Sequence, residues 1–179
     1  APPAARVAGG AAALAMLPLA LALSTAYLTS PPITLQGFAE ALQAGPAALA
    51  LFSGAFHWSF ALMQVPVGLA LDIFGVRRAV IALSGFAILG GAICTFAPDM
   101  NALFLGQILI GAGCAPAFMA AIVFTSQHWP VARFAAISGL VLAIGSGGML
   151  LSATPLAWVI DRWSWRSAFA VLTIMSVFT

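Results

Sequence analysis

The chain has 179 residues, 63% of them hydrophobic and only 6% charged, with a formal net charge of +2. An ordinary globular domain carries about 25% charged residues, so a water-facing surface cannot be covered here and a soluble fold is excluded. The basic residues are dispersed along the chain, which also removes the basic face that a nucleic-acid partner would require.

The charged residues are Arg6, Glu40, Asp72, Arg77, Arg78, Asp99, Arg133, Asp161, Arg162 and Arg166. Between them lie uncharged blocks at 7–39, 41–71, 79–98, 100–132 and 134–160, and a last one from 167 to 179. A helix needs roughly 20 apolar residues to cross the hydrocarbon core, and each of the first five blocks is long enough. Lipid offers the backbone no hydrogen-bond partner, so each block is expected to be a helix. The runs do not alternate as the strands of a membrane barrel would. Predicted helices cover about 9–30, 46–70, 78–97, 101–126, 134–160 and 165–179, the last truncated.

Turn chemistry separates them: Ser30-Pro31-Pro32 after the first, Gly45-Pro46 before the second, Pro98-Asp99 after the third. The stretch 33–44 is the most polar loop and suits a short surface helix. The final block is still apolar at Thr179 and the first residue is Ala1 rather than Met. A longer protein is therefore expected, with five full helices and part of a sixth in this sequence; the alternative is a complete five-helix protein ending in an interfacial segment. The first run exceeds a signal-peptide core and is followed by more helices, so no cleaved leader is expected. Cys94 and Cys114 fall inside predicted helices and read as small packing residues rather than a disulfide or a metal pair. No metal or cofactor is expected. The fold class is an all-α membrane protein, a polytopic transmembrane helix bundle forming one unit over 1–179.

Loops alternate sides of the membrane. One side receives Arg6, then Asp72, Arg77 and Arg78, then Arg133; the other receives Glu40, Asp99, and Asp161 with Arg162 and Arg166. The excess of arginine on the first side places the N-terminus in the cytoplasm, and a bacterial inner membrane is the expected location. Small residues recur at four-residue spacing, Gly139, Ala143 and Gly147 in one stripe and Gly111 with Ala115 in another. Such stripes let helix backbones approach closely in a bilayer.

The junction of the second and third helices reads Gly68-Leu-Ala-Leu-Asp72-Ile-Phe-Gly75-Val-Arg77-Arg78. An anion at a helix C-terminus and cations at the next N-terminus both oppose the helix dipoles. These groups are therefore expected to find partners in each other, in a neighbouring helix end or in lipid phosphates. Gly75 suits a turn needing positive φ, and Gly68 would let another helix come close. A short, charged, glycine-marked turn of this kind suits a latch between moving bundles.

This pattern resembles the signature loop of the major facilitator superfamily, between its second and third transmembrane helices. The leucine falls one place later than in the strictest form, and Ile73 stands where a basic residue is common. Gln107-Ile-Leu-Ile-Gly111-Ala-Gly113-Cys-Ala115 resembles the family's R-x-x-x-G-x-G-x-A element, with Gln107 in place of the arginine. Trp163-Ser-Trp165-Arg166-Ser-Ala-Phe169 resembles the segment that opens its sixth helix. Gly145-Ser-Gly147-Gly148 lacks the Gly-Pro pair of drug–proton antiporters. The resemblance implies the N-terminal six-helix half of a secondary active transporter, with a C-terminal six-helix half as partner. It implies a small-molecule substrate bound near the midplane, alternating access by rocking of the halves, and a proton as candidate coupling ion.

Polar side chains inside a membrane usually face the bundle interior. His57 and Gln64, seven apart and nearly on one face, are substrate-path candidates, with Gln107 and with Tyr27 beside Ser24 and Thr25. His128 is expected at an interface. The other readings are a small polytopic membrane subunit or an intramembrane enzyme built on Ser146. Both histidines precede that serine in the chain, whereas a base on a later helix would be expected. No enzyme activity is expected.

Overall fold

In lipid a backbone can satisfy itself only by closing its own helical ladder, and the described chain is helical almost throughout. The computed structural model describes residues 20–28 and 45–177, and leaves out the side chains of 128 and 148–153. The residues 9–19 and 29–30 of the expected first helix, the Ser30-Pro31-Pro32 turn, the loop 33–44, Arg6, Glu40 and the His128 side chain therefore lie outside the described residues. Six helices are described: α1 over 20–28, α2 Pro46–Phe74, α3 Val76–Phe96, α4 Met100–His128, α5 Val131–Arg162 and α6 Trp165–Val177. There is no strand among the described residues.

Local chemistry sets the boundaries. Pro46 opens α2 in the first turn, where its missing N–H costs nothing. The Asp99 carboxylate caps α4 by accepting from the Ala102 N–H at 2.8 Å. Arg162 sits in the last turn of α5, where a cation complements the dipole. The largest departure from expectation lies between α2 and α3. α2 continues to Phe74 rather than 70 and α3 starts at Val76 rather than 78, so a single residue joins them. Gly75 has φ 79°, and its N–H donates to the Leu71 carbonyl at 3.1 Å. Each further turn of helix satisfies backbone groups that an open loop would leave exposed at the membrane edge, so the helices run up to the glycine.

α4 is the spine of the bundle. Its most apolar stretch is 61% buried, against 22% for α2 and 28% for α3, so the other helices pack around it. Glycines allow this. A Cβ on Gly90 of α3 would lie 2.6 Å from the Gly106 carbonyl oxygen of α4, and one on Gly113 would collide with the Ala87 backbone. On the opposite side of α4, a Cβ on Gly111 would lie 2.5 Å from the Phe56 carbonyl oxygen of α2, and Ala115 is buried with Val67 and Leu71 of α2. Of the two small-residue stripes, this one is packed. Gly139 and Gly147 meet nothing within 4 Å and Ala143 is exposed, so the α5 stripe has no neighbour among the described residues.

Polar bonds tie the helices where side chains would otherwise go unsatisfied in hydrocarbon. The Ser59 hydroxyl of α2 donates to the Ile108 carbonyl of α4 at 2.6 Å, and Thr25 of α1 to Gly145 of α5 at 2.9 Å. At one end, the Arg166 guanidinium donates to the Ala97 carbonyl at 3.0 Å and lies 4.2 Å from the Trp165 ring centroid, fastening α6 to the end of α3. Both cysteines are free and buried.

The outside of the bundle identifies its solvent. Trp58, Leu62, Val65, Leu69 and Ile73 form an outward stripe along α2, each at least 59% exposed. Such a contiguous apolar face belongs against lipid or further helices rather than water. Three described helices, α2, α3 and α4, are long and apolar enough to cross a bilayer. The chain is an integral membrane protein.

The α3–α4 contact gives a direct test in detergent-purified full-length protein. Gly113→Ala inserts a methyl into the Ala87 backbone and should destabilise by about 1–3 kcal/mol, the usual cost of overpacking. Gly85→Ala, whose Cβ meets nothing within 4 Å, should be neutral or gain up to about 1 kcal/mol from helix propensity. Thermal melting of the two variants should separate them clearly.

Candidate functional site

The polar groups of the bundle fall into three places. The first is the α2–α3 junction. Asp72, Arg77 and Arg78 are all exposed, and none of them makes an ion pair among the described residues. They do not pair with each other. All three stand at the tip formed by the Gly75 turn, open to a partner. A Cβ at Gly68 would touch the Met119 sulfur at an ordinary 3.6 Å, so no described helix makes a close backbone approach there. Among the described residues nothing demands glycine at 68.

The second place is a recess of about 480 Å³ between α1, α2 and α4. Leu21, Ser24, Thr25 and Leu28 form the α1 wall, Phe56, Phe60, Ala61 and Gln64 the α2 wall, and Phe118 closes it from α4. The Phe56 and Phe60 rings stack with centroids 5.9 Å apart. Ser24 and Thr25 already spend their hydroxyl protons, on the Cys114 carbonyl at 3.4 Å and the Ala22 and Gly145 carbonyls at 2.8 and 2.9 Å. The half-buried Gln64 amide makes no hydrogen bond among the described residues and so keeps its donors and acceptor for whatever enters. Mostly apolar walls with one uncommitted amide are the usual chemistry of a small-molecule site.

His57 lies on the same face of α2. It borders a shallow depression with Ser53, Gly54, Trp58 and Ala61, and Ala61 also lines the larger recess. Its Nδ1 is 2.9 Å from the Ser53 carbonyl oxygen, and its ring meets Phe56 edge-on at 5.5 Å. A carbonyl can only accept, so Nδ1 carries a proton there, and Nε2 makes no hydrogen bond among the described residues. The middle residue of α2 is Phe60. At 1.5 Å of rise per residue, His57 and Gln64 stand about 4.5 and 6 Å from it on either side. Both lie near the middle of α2.

The third place is the core, where two of the expected path residues turn out to sit. Tyr27 is 1% exposed and points away from the recess toward α3 and α6. Its hydroxyl lies 3.3 Å from the Ser176 hydroxyl, and a Cβ on Gly91 would come within 3.0 Å of it. The cavity it borders, shared with Ser24, Ser84 and Ser176, is about 40 Å³, room for water only. Gln107 is fully buried with both amide atoms lacking a partner among the described residues, and it lines neither recess. Of the four candidates, then, His57 and Gln64 share a face open to the outside, and Tyr27 and Gln107 do not join them.

The aromatic lining was not anticipated. Phe56, Phe60 and Gln64 recur at four-residue spacing, a signal that would have placed both rings beside the amide. Nothing in the sequence singles out Phe118 of α4, which reaches the recess only through the packing of α4 on α2.

Comparison with known proteins bears on this arrangement. The chain is 25% identical over 143 residues to a probable galactarate/D-glucarate transporter of Escherichia coli, covering 76% of this chain and 32% of the relative. It is 35% identical over 109 residues to human monocarboxylate transporter 11, covering 60% of this chain and 23% of the relative. It is 24% identical over 162 residues to a uridine/deoxyuridine transporter of Lactococcus lactis, covering 90% and 33%. The chain thus spans about a quarter to a third of the length of the curated relatives it matches. The family model described as Major Facilitator Superfamily matches residues 12–179, taking in every described helix. With helices, junction and match in agreement over that range, the chain belongs to the Major Facilitator Superfamily.

Proposed function

We propose that this chain is the N-terminal six-helix bundle of a secondary active transporter that carries a small solute by alternating access. The observation that carries the reading is the uncommitted Gln64 amide in an aromatic recess near the middle of α2, on a face that also presents His57. A second six-helix bundle of the same polypeptide closes this face, and the solute binds between the two near the bilayer midplane. The long apolar stripe on α2 and the unpacked small-residue stripe on α5 suit such a companion. An enzyme is the weaker reading, because both histidines precede Ser146 in the chain, whereas a base on a later helix would be expected.

The solute we favour is a small carboxylate. Two of the relatives are named for carboxylate solutes, and no acidic side chain lines the recess or the depression beside His57 to repel one. The third relative is named for nucleosides, so uridine is the contrasting solute in any panel. Orientation follows the arginines: Arg77 and Arg78 at the α2–α3 turn and Arg133 at the start of α5 lie two passes apart, on one side, which the positive-inside rule assigns to the cytoplasm. In a bacterium that membrane is the inner one.

The unpaired tip at Asp72, Arg77 and Arg78 acts in this reading as a cytoplasmic latch, each charge meeting a helix end or a charge of the companion bundle in one state only. Gln107 carries no charge and cannot relay a proton.

Two measurements on the full-length protein in proteoliposomes test this. Uptake of a panel containing D-glucarate, lactate and uridine should show saturable transport of a carboxylate, and Gln64→Leu should weaken its apparent affinity about 10- to 100-fold, since a hydrogen bond to a charged group contributes about 1.5–3 kcal/mol. No saturable uptake of any solute would count against transport. Asp72→Asn should lower the transport rate at least about tenfold while membrane abundance and melting temperature stay at wild-type values; normal uptake by this variant would sink the latch.

A further inference from the structure

We infer that the solute of this bundle is an aryl monocarboxylate, a flat apolar ring carrying one carboxylate, and not a sugar acid rich in hydroxyls. The inference rests on the transport reading above and narrows its solute to one chemical class.

The walls decide what can enter. The recess holds about 480 Å³, within the range of a small-molecule pocket. Leu21 and Leu28 from α1, Ala61 from α2 and the three phenylalanines give it surfaces with nothing to donate. Ser24 and Thr25 commit their hydroxyl protons to backbone carbonyls, so toward a solute they can at most accept. Among the lining side chains, Gln64 alone offers N–H donors.

Hydroxyls fare badly against such walls. D-glucarate has a carboxylate at each end and a hydroxyl on every carbon between. Most of these groups would lose water on entry and find no replacement, and each such loss weakens binding about fivefold or more. A hydrocarbon body has no hydrogen bond to lose, and releasing the water around it favours entry. One uncommitted amide suits one carboxylate.

The rings select a flat body over a merely greasy one. Phe56 and Phe60 stack on α2 with centroids 5.9 Å apart and planes 17° from parallel. Phe60 is half-buried and Phe118 is 40% exposed, so both keep surface for a solute. A planar ring meets such neighbours offset or edge-on, and each contact contributes about twofold to tenfold in affinity. A saturated ring of similar size gains the burial without that increment. Gln64 lies about 6 Å along the axis from Phe60, close to one helical turn. An aryl acid with its ring at Phe60 therefore brings its carboxylate to the amide N–H groups. The other carboxylate oxygen faces the open side of the recess, toward water and the companion bundle.

The test measures Kd by titration calorimetry on the full-length protein in lipid nanodiscs, with empty nanodiscs subtracted. Phenylacetate should bind at least about tenfold tighter than lactate or D-glucarate, and cyclohexylacetate about threefold to tenfold weaker than phenylacetate. Phe118→Leu keeps an apolar side chain but removes the ring, and should shrink the phenyl–cyclohexyl gap to about twofold or less. The wild-type ranking needs no variant, so it stands even where the leucine protein folds poorly. Binding of D-glucarate as tightly as phenylacetate overturns the aryl assignment and leaves the transport reading standing. An equal Kd for the phenyl and cyclohexyl acids, or survival of the full gap in Phe118→Leu, overturns it in the same way. Uptake of uridine but of no carboxylate in proteoliposomes would also reject it while keeping transport, whereas no saturable uptake of any solute sinks the transport reading itself.

Discussion

Close contact between helix backbones at the glycines of α3 and α4 governs the rest of this bundle. In hydrocarbon there is no hydrophobic effect to draw helices together, so association depends on how closely surfaces fit. Where Gly90 meets Gly106 and Gly113 meets Ala87, the main chains touch with no side chain between them. That contact buries α4, and α4 in turn supplies the surface on which α2 is seated through Gly111. The recess exists because α1 and α2 both lean on this spine while bulky Phe56, Phe60 and Phe118 keep them from closing.

The same economy of polar groups explains why most hydroxyls are already engaged. Thr95, Thr125, Thr173 and Ser176 each donate to the carbonyl four residues earlier in their own helix, and Ser59, Ser24 and Thr25 donate across to neighbours. A hydroxyl committed in this way is apolar to its surroundings. Gln64 stands out against that background, and so does Gln107, whose buried amide is without a partner among the described residues. An unpartnered buried amide costs on the order of 1–3 kcal/mol, and the Gln107 side chain sits where members of the family commonly carry an arginine.

Much of the architecture could be read from the charges alone. Arg77, Asp99, Arg133 and Arg162 fall at or beside helix ends because ionised groups are tolerated only where water reaches them, and Gly75 marked its turn because only glycine accepts φ 79° without strain. The faces were harder. In a soluble helix the buried side is apolar and the outer side polar, so spacing reveals direction. Here lipid and core are both apolar, and Trp58 outside is no different in kind from Phe56 inside. Tyr27 and Gln64 look equally suited to a solute path in the sequence, and only the packing of α3 and α6 around the tyrosine hydroxyl separates them. The helix ends at 74 and 76 were missed for a related reason: Asp72 and Arg77 look like loop residues, yet helix extends through both because their side chains reach water while their backbones need not.

The single-residue joint at Gly75 has a mechanical meaning of its own. With no slack between Phe74 and Val76, α2 and α3 cannot slide past one another along their axes. Any reorientation of one against the other must pass through the torsions about one α-carbon, and a few tens of degrees there sweep the Asp72, Arg77 and Arg78 side chains through arcs several ångströms long. The Asp72, Arg77 and Arg78 charges sit at that pivot, so a tilt between the two helices turns the charged tip while displacing the far helix ends most.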